Sequence, residues 1–301
     1  MKRLQINQTV LRIIAFVTMA CDHLGVCLLM FPPMTWEHYA LASDIALALR
    51  SIGRIALPIF LFMTAEGVRK TSNKWRYLGR IAAIWAPIAL VEFAGSLYLG
   101  AWNYLPAQAM TEILLYVLFA CFITEKGWKK IFAALPVAYC VFSFIVDLFT
   151  TSGYSTFHKF PMFLLSDYDI YGIVLFLGFM LVYPIYDLLA KKFSDVQQIS
   201  VEEYKNSEQG RKMVNNLSII IIVLVAVIFW IFANLFEGAP FGGTYIAQYH
   251  IETYSVISCI FIYFYNGQRG LNGKVWKWVS YLFYPVHFVI LLGIFALIFG
   301  I

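Results

Sequence analysis

Residues 42–70 read ASDIALALRSIGRIALPIFLFMTAEGVRK, and this stretch decides how the rest of the chain is read. It is long enough to cross a bilayer as a helix, yet it carries Arg50 and Arg54 inside apolar sequence. An arginine near the bilayer centre is costly. Two of them four residues apart call for anionic partners, a water-filled cavity, or both. Structural ion pairing alone would meet that need. The functional alternative is a polar chamber inside a helical bundle, whose other walls the remaining segments must supply.

The composition agrees with a membrane chain. Hydrophobic residues make up 61% and charged residues 13% of the sequence, and mean hydropathy is +0.74, beyond the balance of a soluble domain. The first long apolar segment follows MKRLQINQTVLR, contains Asp22 and His23, and is closed by no small-residue cleavage site. It is expected to stay as the first helix and not to be removed as a signal peptide. Cys21, Cys27, Cys121, Cys140 and Cys259 all fall in apolar segments. They read as small buried residues, not as a disulfide framework or metal cluster.

Apolar segments place helices near residues 10–31, 43–66, 77–98, 108–124, 131–150, 169–190, 216–236, 249–265 and 278–300. The expected fold is therefore all-α, a polytopic transmembrane bundle of about nine crossings in one domain spanning 1–301. The fourth segment is short and the eighth is polar at its start, so either is a candidate re-entrant segment. Lys2 and Arg3, five basic residues at 69–80, three at 126–130, five at 191–212 and three at 269–277 occupy alternate connections, while the intervening loops hold only Lys159. The positive-inside rule then puts the N-terminus inside and the C-terminus outside. The connection at about 191–215 is the one long polar stretch and reads as a cytoplasmic loop. No internal repeat and no paired interrupted helices are evident.

With that topology Asp22 and His23 lie ~18 Å along the first helix, and Arg50 and Arg54 lie ~10 and ~16 Å into the second from the outer side. The depths overlap, so Asp22 is expected to pair with Arg50 or Arg54, with His23 in the same layer. Glu92, Glu112, Asp169, Tyr171, Gln248, His250 and Glu252 are further outer-half polar residues. For Glu92, Glu112 and His250 an interfacial place is equally open. Pro285 loosens the last helix and leaves His287 near mid-depth, ~14 Å from its inner end. His38 and His158 read as loop residues. Trp36, Tyr98, Trp102, Tyr104 and Trp230 read as outer anchors, and Trp75, Trp128, Trp276 and Trp278 as inner ones.

An acid beside histidine can hold the imidazole and raise its basicity, while an i,i+1 offset of about 100° can instead leave Asp22 on an arginine and His23 facing a substrate. Both arrangements suit a general base acting on an amine or hydroxyl. Arg50, Arg54 or His287 would then stabilise an oxyanion or position an acyl donor. No serine or cysteine is arranged as an acyl-enzyme nucleophile, and H-E-x-x-H and close Cys–His spacings are absent, so no metal is expected.

These residues carry a family resemblance. LRIIAFVTMACDHLG (11–25), LRSIGRIALPIFLFMTAEGVRKTSNKWRYLGR (49–80), DYDIYGIVLF (167–176) and YFYNGQRG with KWVSYLFYPVHFVI (263–270 and 277–290) resemble the TraX family of integral-membrane proteins. That family takes its name from a conjugation-operon protein that acetylates the N-terminus of F-type pilin, and is related to wider membrane acyltransferases. The likeness runs from about residue 8 to 298 and is loose over 100–165 and 191–245. It implies transfer of an acetyl group from acetyl-CoA to an amine or hydroxyl, with matching positions at Asp22, His23, Arg50, Gly53, Arg54, Glu66, Gly67, Tyr284, Pro285 and His287. Tyr265, Asn266, Gly267, Arg269 and Gly270 match the family's turn between the last two helices.

Acetyl-CoA is cytoplasmic, so the basic stretch with Glu66, Arg69 and Lys70, together with Tyr265, Asn266 and Arg269, is a candidate phosphate-binding end; setting topology is the alternative role for those charges. The stretch MTEILLYVLFACFITEKG (110–127) departs from the family run, so the acceptor is left as an extracytoplasmic glycan, lipid-linked sugar or exported peptide. Membrane lipids are the other expected partner and nucleic acid is not. A multi-pass protein of the bacterial cytoplasmic membrane is the implied setting. The alternative functions are a proton-coupled permease for a small anion, using Arg50 and Arg54 for substrate and Asp22 with His23 for the proton, and a non-catalytic assembly or sensing protein.

Overall fold

The computed structural model describes residues 5–30, 36–99, 109–153 and 160–299. Trp102, Tyr104, His158, Lys159, Lys2 and Arg3 lie outside the described residues, as do the side chains of Trp36 and Tyr98. The helices are α1 (Gln8–Met30), α2 (Trp36–Gly53), α3 (Ala56–Lys70), α4 (Lys74–Leu99), α5 (Ala109–Ile123), α6 (Ala134–Thr151), α7 (Asp169–Gln197), α8 (Val201–Asn206), α9 (Glu208–Phe236), α10 (Gly243–Ala247), α11 (Ser258–Tyr263) and α12 (Lys274–Phe299). Among the described residues the sole extended pairing is an isolated bridge between Ile6 and Tyr265. The protein is all-α.

Helix starts follow short polar side chains that accept from the first unpaired N–H groups. Asn7 Oδ1 accepts from Val10 N at 3.0 Å, Asn73 Oδ1 from Arg76 N at 2.9 Å, and Ser200 Oγ from Glu203 N at 3.0 Å. Ser207 does the same for Gly210 N, opening α9.

Among the described residues seven stretches are long and apolar enough to span a bilayer: Gln8–Leu29, His38–Lys70, Lys74–Leu97, Gly127–Thr151, Met162–Gln197, Glu208–Phe236 and Lys274–Phe295. Large apolar side chains stand exposed along them, including Leu90, Leu188, Leu235, Val289 and Ile294, as lipid-facing surfaces require. This is a polytopic membrane bundle. The two other expected segments take different forms. The fourth is the 15-residue α5. The eighth is a 3₁₀ helix, Gln248–Ile257, running into the six-residue α11.

The second expected segment is broken. Where the apolar run predicts one helix over 43–66, α2 ends at Gly53 and α3 begins at Ala56. Pro58 explains the break: it offers no N–H to the carbonyl four residues back, which is that of Arg54, and its ring crowds that carbonyl.

The chain forms two compact units. The first comprises Met1–Phe60, Met180–Val227 and Ile251–Ile301; the second comprises Leu61–Phe179 and Ile228–His250. In the first, α1 packs against α2 and α12, around Phe16, Met19 and Ala56, with Phe60, Trp276, Phe283 and Tyr284 against them. Trp276 therefore serves packing as well as marking a helix end. Two glycines permit the close approach of α1 and α2. A Cβ on Gly25 would stand 2.8 Å from the Ala46 carbonyl oxygen, and one on Gly53 would collide with the Asp22 side chain. In the second unit α5 packs against α4 and α6, and α10 against α6.

Candidate functional site

Arg54 owes its position to the break between α2 and α3. Its Nε donates to the Arg50 carbonyl at 3.3 Å, which also accepts from Arg54 N at 3.2 Å, so the cation sits at the C-terminal end of α2, where a positive charge is favoured. Its Nη2 donates to Asp22 Oδ1 at 2.5 Å and its Nη1 to Glu252 Oε1 at 2.7 Å. All three residues are buried, at 4%, 7% and 6% exposure for Arg54, Asp22 and Glu252. One guanidinium thus ties α1, the end of α2 and the Gln248–Ile257 turn together. Its donors are arranged in a fixed fork that suits two carboxylates at once.

Arg50 is differently placed. Its Nε stands 3.8 Å from Asp22 Oδ1, and its side chain is 36% exposed. The distance is an ion-pair distance and not a hydrogen bond. Of the two arginines open to pairing with Asp22, Arg54 makes the bond and Arg50 supplies a second, looser charge. As ionised groups, two arginines face two carboxylates, which is how charge at membrane depth is tolerated.

On the neighbouring position of α1, His23 turns to α12. Its Nδ1 is 2.6 Å from His287 Nε2, and the rings stack with centroids 4.7 Å apart and 6° between planes. His287 Nδ1 is in turn 2.5 Å from the Phe283 carbonyl oxygen. A carbonyl oxygen only accepts, so in the neutral pair His287 carries its proton on Nδ1 and accepts at Nε2. His23 then donates from Nδ1 and keeps its lone pair on Nε2. Phe283 stacks on His287 at 4.7 Å, Phe288 lies 4.9 Å from the His23 ring and Tyr284 meets it edge-on at 6.2 Å. The imidazole is clamped with one basic nitrogen open: among the described residues none bonds to it.

Asp22, His23, Arg50, Arg54 and His287 thus come together in the first unit. Glu252 joins them from the wider group of polar residues named from the sequence. The cofactor candidates divide. Glu66 is 2% exposed and accepts from Lys70 Nζ at 3.0 Å. Glu66, Arg69 and Lys70 belong to the second unit, with Arg69 and Lys70 exposed. Tyr265, Asn266 and Arg269 belong to the first. Tyr265 is buried at 3% under the Arg211 guanidinium, 4.4 Å from its ring centroid, and its carbonyl accepts from Asn215 Nδ2 at 2.7 Å. Asn266 N donates to the Ile6 carbonyl at 2.9 Å, while Arg269 is exposed with its carbonyl on Thr9 Oγ1 at 3.2 Å. The turn is fastened to the N-terminal segment and α9. Arg269 is the member whose charged end faces outward.

His250 is tied to Glu237 at 3.3 Å near the surface. Glu112, Asp169 and Tyr171 are buried in the second unit. An apolar groove of about 480 Å³, lined by Phe119, Ile123, Ile131 and Val137 with Lys130 at its edge, contains none of the candidate residues. Among the described residues no group of three His, Cys, Asp or Glu side chains is placed to hold a metal ion.

The fold and the site define a class: a helical membrane protein with a buried arginine–carboxylate knot and a histidine pair at membrane depth. Within that class the family is specific. Residues 7–295 match the TraX protein family, and the chain belongs to it. No curated protein and no solved structure matches the chain.

Proposed function

We propose that the protein is a membrane-embedded acetyltransferase that moves an acetyl group from acetyl-CoA to an amine or hydroxyl of an exported or cell-surface acceptor. Membership of the TraX family supports an acetyltransferase-like role. The observation that carries the mechanism is the tautomer-fixing chain from the Phe283 carbonyl through His287 to His23.

In this reading Nε2 of His23 takes the proton of the acceptor N–H or O–H as that atom attacks the thioester carbonyl. It returns the proton to the departing CoA sulfur. His287 is the positioning residue, since it fixes which nitrogen of His23 is basic. Arg54, already holding two carboxylates, fixes the frame. Arg50, half-exposed and 3.8 Å from Asp22, is the better donor toward a developing oxyanion. Asp22 holds Arg54 and keeps negative charge beside a protonating His23.

For the donor's phosphates the first unit offers exposed Arg269 beside the Tyr265–Asn266 turn, and the second offers Arg69 and Lys70 with Glu66. Phosphate esters favour such cations. The alternating loop charges put these basic ends and the N-terminus on the cytoplasmic side, in keeping with a cytoplasmic donor and a protein of the bacterial cytoplasmic membrane.

CoA release by the purified protein, with acetyl-CoA and cell-envelope extract as acceptor source, tests the reading. Acceptor-dependent release that disappears in His23→Ala, with melting temperature retained, is the expected result. Folded wild-type protein that neither releases CoA nor binds acyl-CoA overturns it in favour of a permease.

A further inference from the structure

The second unit contains a buried acidic cluster that the acetyl-transfer reading does not use. Glu112, in the first turn of α5, is 0% exposed, and Asp169, in the first turn of α7, is 1% exposed. One oxygen of each is well bonded. Glu112 Oε1 accepts from Ser166 Oγ and from Tyr168 N, the latter at 2.5 Å. Asp169 Oδ2 accepts from Tyr245 Oη. Ser166 Oγ also accepts from Asp169 N at 3.1 Å, and Ser143 Oγ accepts from Ser166 N at 2.8 Å. The other oxygens, Glu112 Oε2 and Asp169 Oδ1, are buried without a hydrogen-bond partner. Among the described residues neither carboxylate has an arginine, lysine or histidine partner.

A third buried atom lies beside Glu112 Oε2. Tyr116 is 0% exposed and its ring stacks on Phe176 with centroids 5.0 Å apart. That packing holds its hydroxyl, also without a partner, against the face of Gly172. A Cβ there would collide with Tyr116 Oη and stand 3.4 Å from Glu112 Oε2. Glycine keeps this space clear. The two oxygens face one spot, yet they do not hydrogen-bond to each other.

Leaving two carboxylate oxygens and a phenol unsatisfied at full burial is costly. Helix N-termini offset part of that cost but give no ligand to the open atoms. A shared proton would draw Glu112 Oε2 and Tyr116 Oη into hydrogen-bond contact. An ion ligated at about 2.3–2.6 Å instead holds its oxygens several ångström apart. We propose that Glu112 and Tyr116 bind a single hard cation at the face of Gly172, ligated entirely by oxygen, with Asp169, joined to Glu112 through Ser166 Oγ, as the neighbouring carboxylate. Na⁺ and Ca²⁺ are its two sources, since both accept irregular oxygen shells, whereas Mg²⁺ demands near-octahedral geometry and keeps its waters. Two carboxylates completed by hydroxyls do not make a three-carboxylate or imidazole site, so transition metals are disfavoured. This departs from the expectation that the chain uses no metal, and it gives the ion a structural role in the second unit independent of acetyl transfer.

The test is thermal unfolding of the full-length protein in nanodiscs at matched ionic strength in choline chloride, KCl, NaCl or CaCl₂, with equilibrium dialysis against ²²Na⁺ and ⁴⁵Ca²⁺. The expected result is a saturable rise in melting temperature in Na⁺ or Ca²⁺ over choline and about one ion bound per chain. Glu112→Gln and Tyr116→Phe should lose both, while His23→Ala keeps both. Tyr116→Phe removes one oxygen and no charge, so it remains informative if Glu112→Gln folds poorly. Equal melting in all four salts, as a water-filled site would give, overturns the proposal. So does a cation response that survives in both variants.

Discussion

The two units handle buried charge in opposite ways. In the first, Arg54 spans Asp22 and Glu252, and Arg50 adds a second positive charge; the chain supplies both signs. In the second, Glu112 and Asp169 face hydroxyls and backbone N–H groups, with no basic side chain bonded to either among the described residues. The lesson is that burial by itself does not mark a site as structural or functional. What distinguishes the two is whether the protein supplies both signs of charge or only carboxylates with hydroxyl and N–H partners.

The sharpest way to break the contrast is to remove the central cation. Arg54→Met strands two buried carboxylates, and loss of one partner of a buried pair costs about 3–5 kcal/mol. The expected outcome is a large drop in melting temperature or loss of folded protein after extraction. The matching change in the second unit, Glu112→Gln, removes a charge that has no basic partner, so melting in choline chloride should stay level or rise. If both variants destabilise alike, the contrast fails.

In the proposed mechanism the two histidines of the first unit divide into base and positioning residue. His23→Ala should reduce acceptor-dependent CoA release by about 10²-fold or more with melting unchanged. His287→Ala should cost less, about tenfold to a hundredfold through misorientation. His287→Gln, whose amide can still accept from His23 Nδ1, should recover part of that loss. Equal effects of all three would place both imidazoles in the chemistry. The smallest effect is expected at the turn: Arg269→Gln should raise the KM for acetyl-CoA a few-fold without changing kcat, because its side chain is exposed and only its backbone holds the turn. The same change at Lys70, read by the same assay, reports whether the donor uses the second basic end.

Much of this was legible before any fold was known. Hydropathy identified the membrane class and most of the helices, and the chemistry of an arginine at membrane depth required an acidic partner for the 42–70 stretch. Asp22 and Arg54, with His23 in their layer, follow from that reasoning, and His287 follows from Pro285 and its depth in the last helix. The break at Arg54–Ile55 was also within reach, since Pro58 stands four residues on, but a continuous apolar run hid it. Glu252 was one of several polar residues at a helix start, and no local feature ranked it above His250, which pairs with Glu237 at the surface. Tyr116 carried no signal at all, because an aromatic in an apolar helix looks the same whether or not its hydroxyl has a partner.

By itself, the sequence determined the properties that belong to short windows: hydropathy, the apolar helices, and the need to neutralise buried charge; the helices that run through 191–215, read as a loop, appear only in the fold. Helical periodicity says which residues share a face, but not which helix that face meets. His23 and His287, 264 positions apart, are neighbours because α1 packs against α12, and Arg54 and Glu252, 198 apart, because the Gln248–Ile257 segment meets the end of α2. The tertiary structure therefore decided which carboxylates Arg54 holds, which ring nitrogen of His23 meets His287, and where a buried oxygen is left without a partner. Each of these is set by ångström-scale distances between elements that no local pattern encodes.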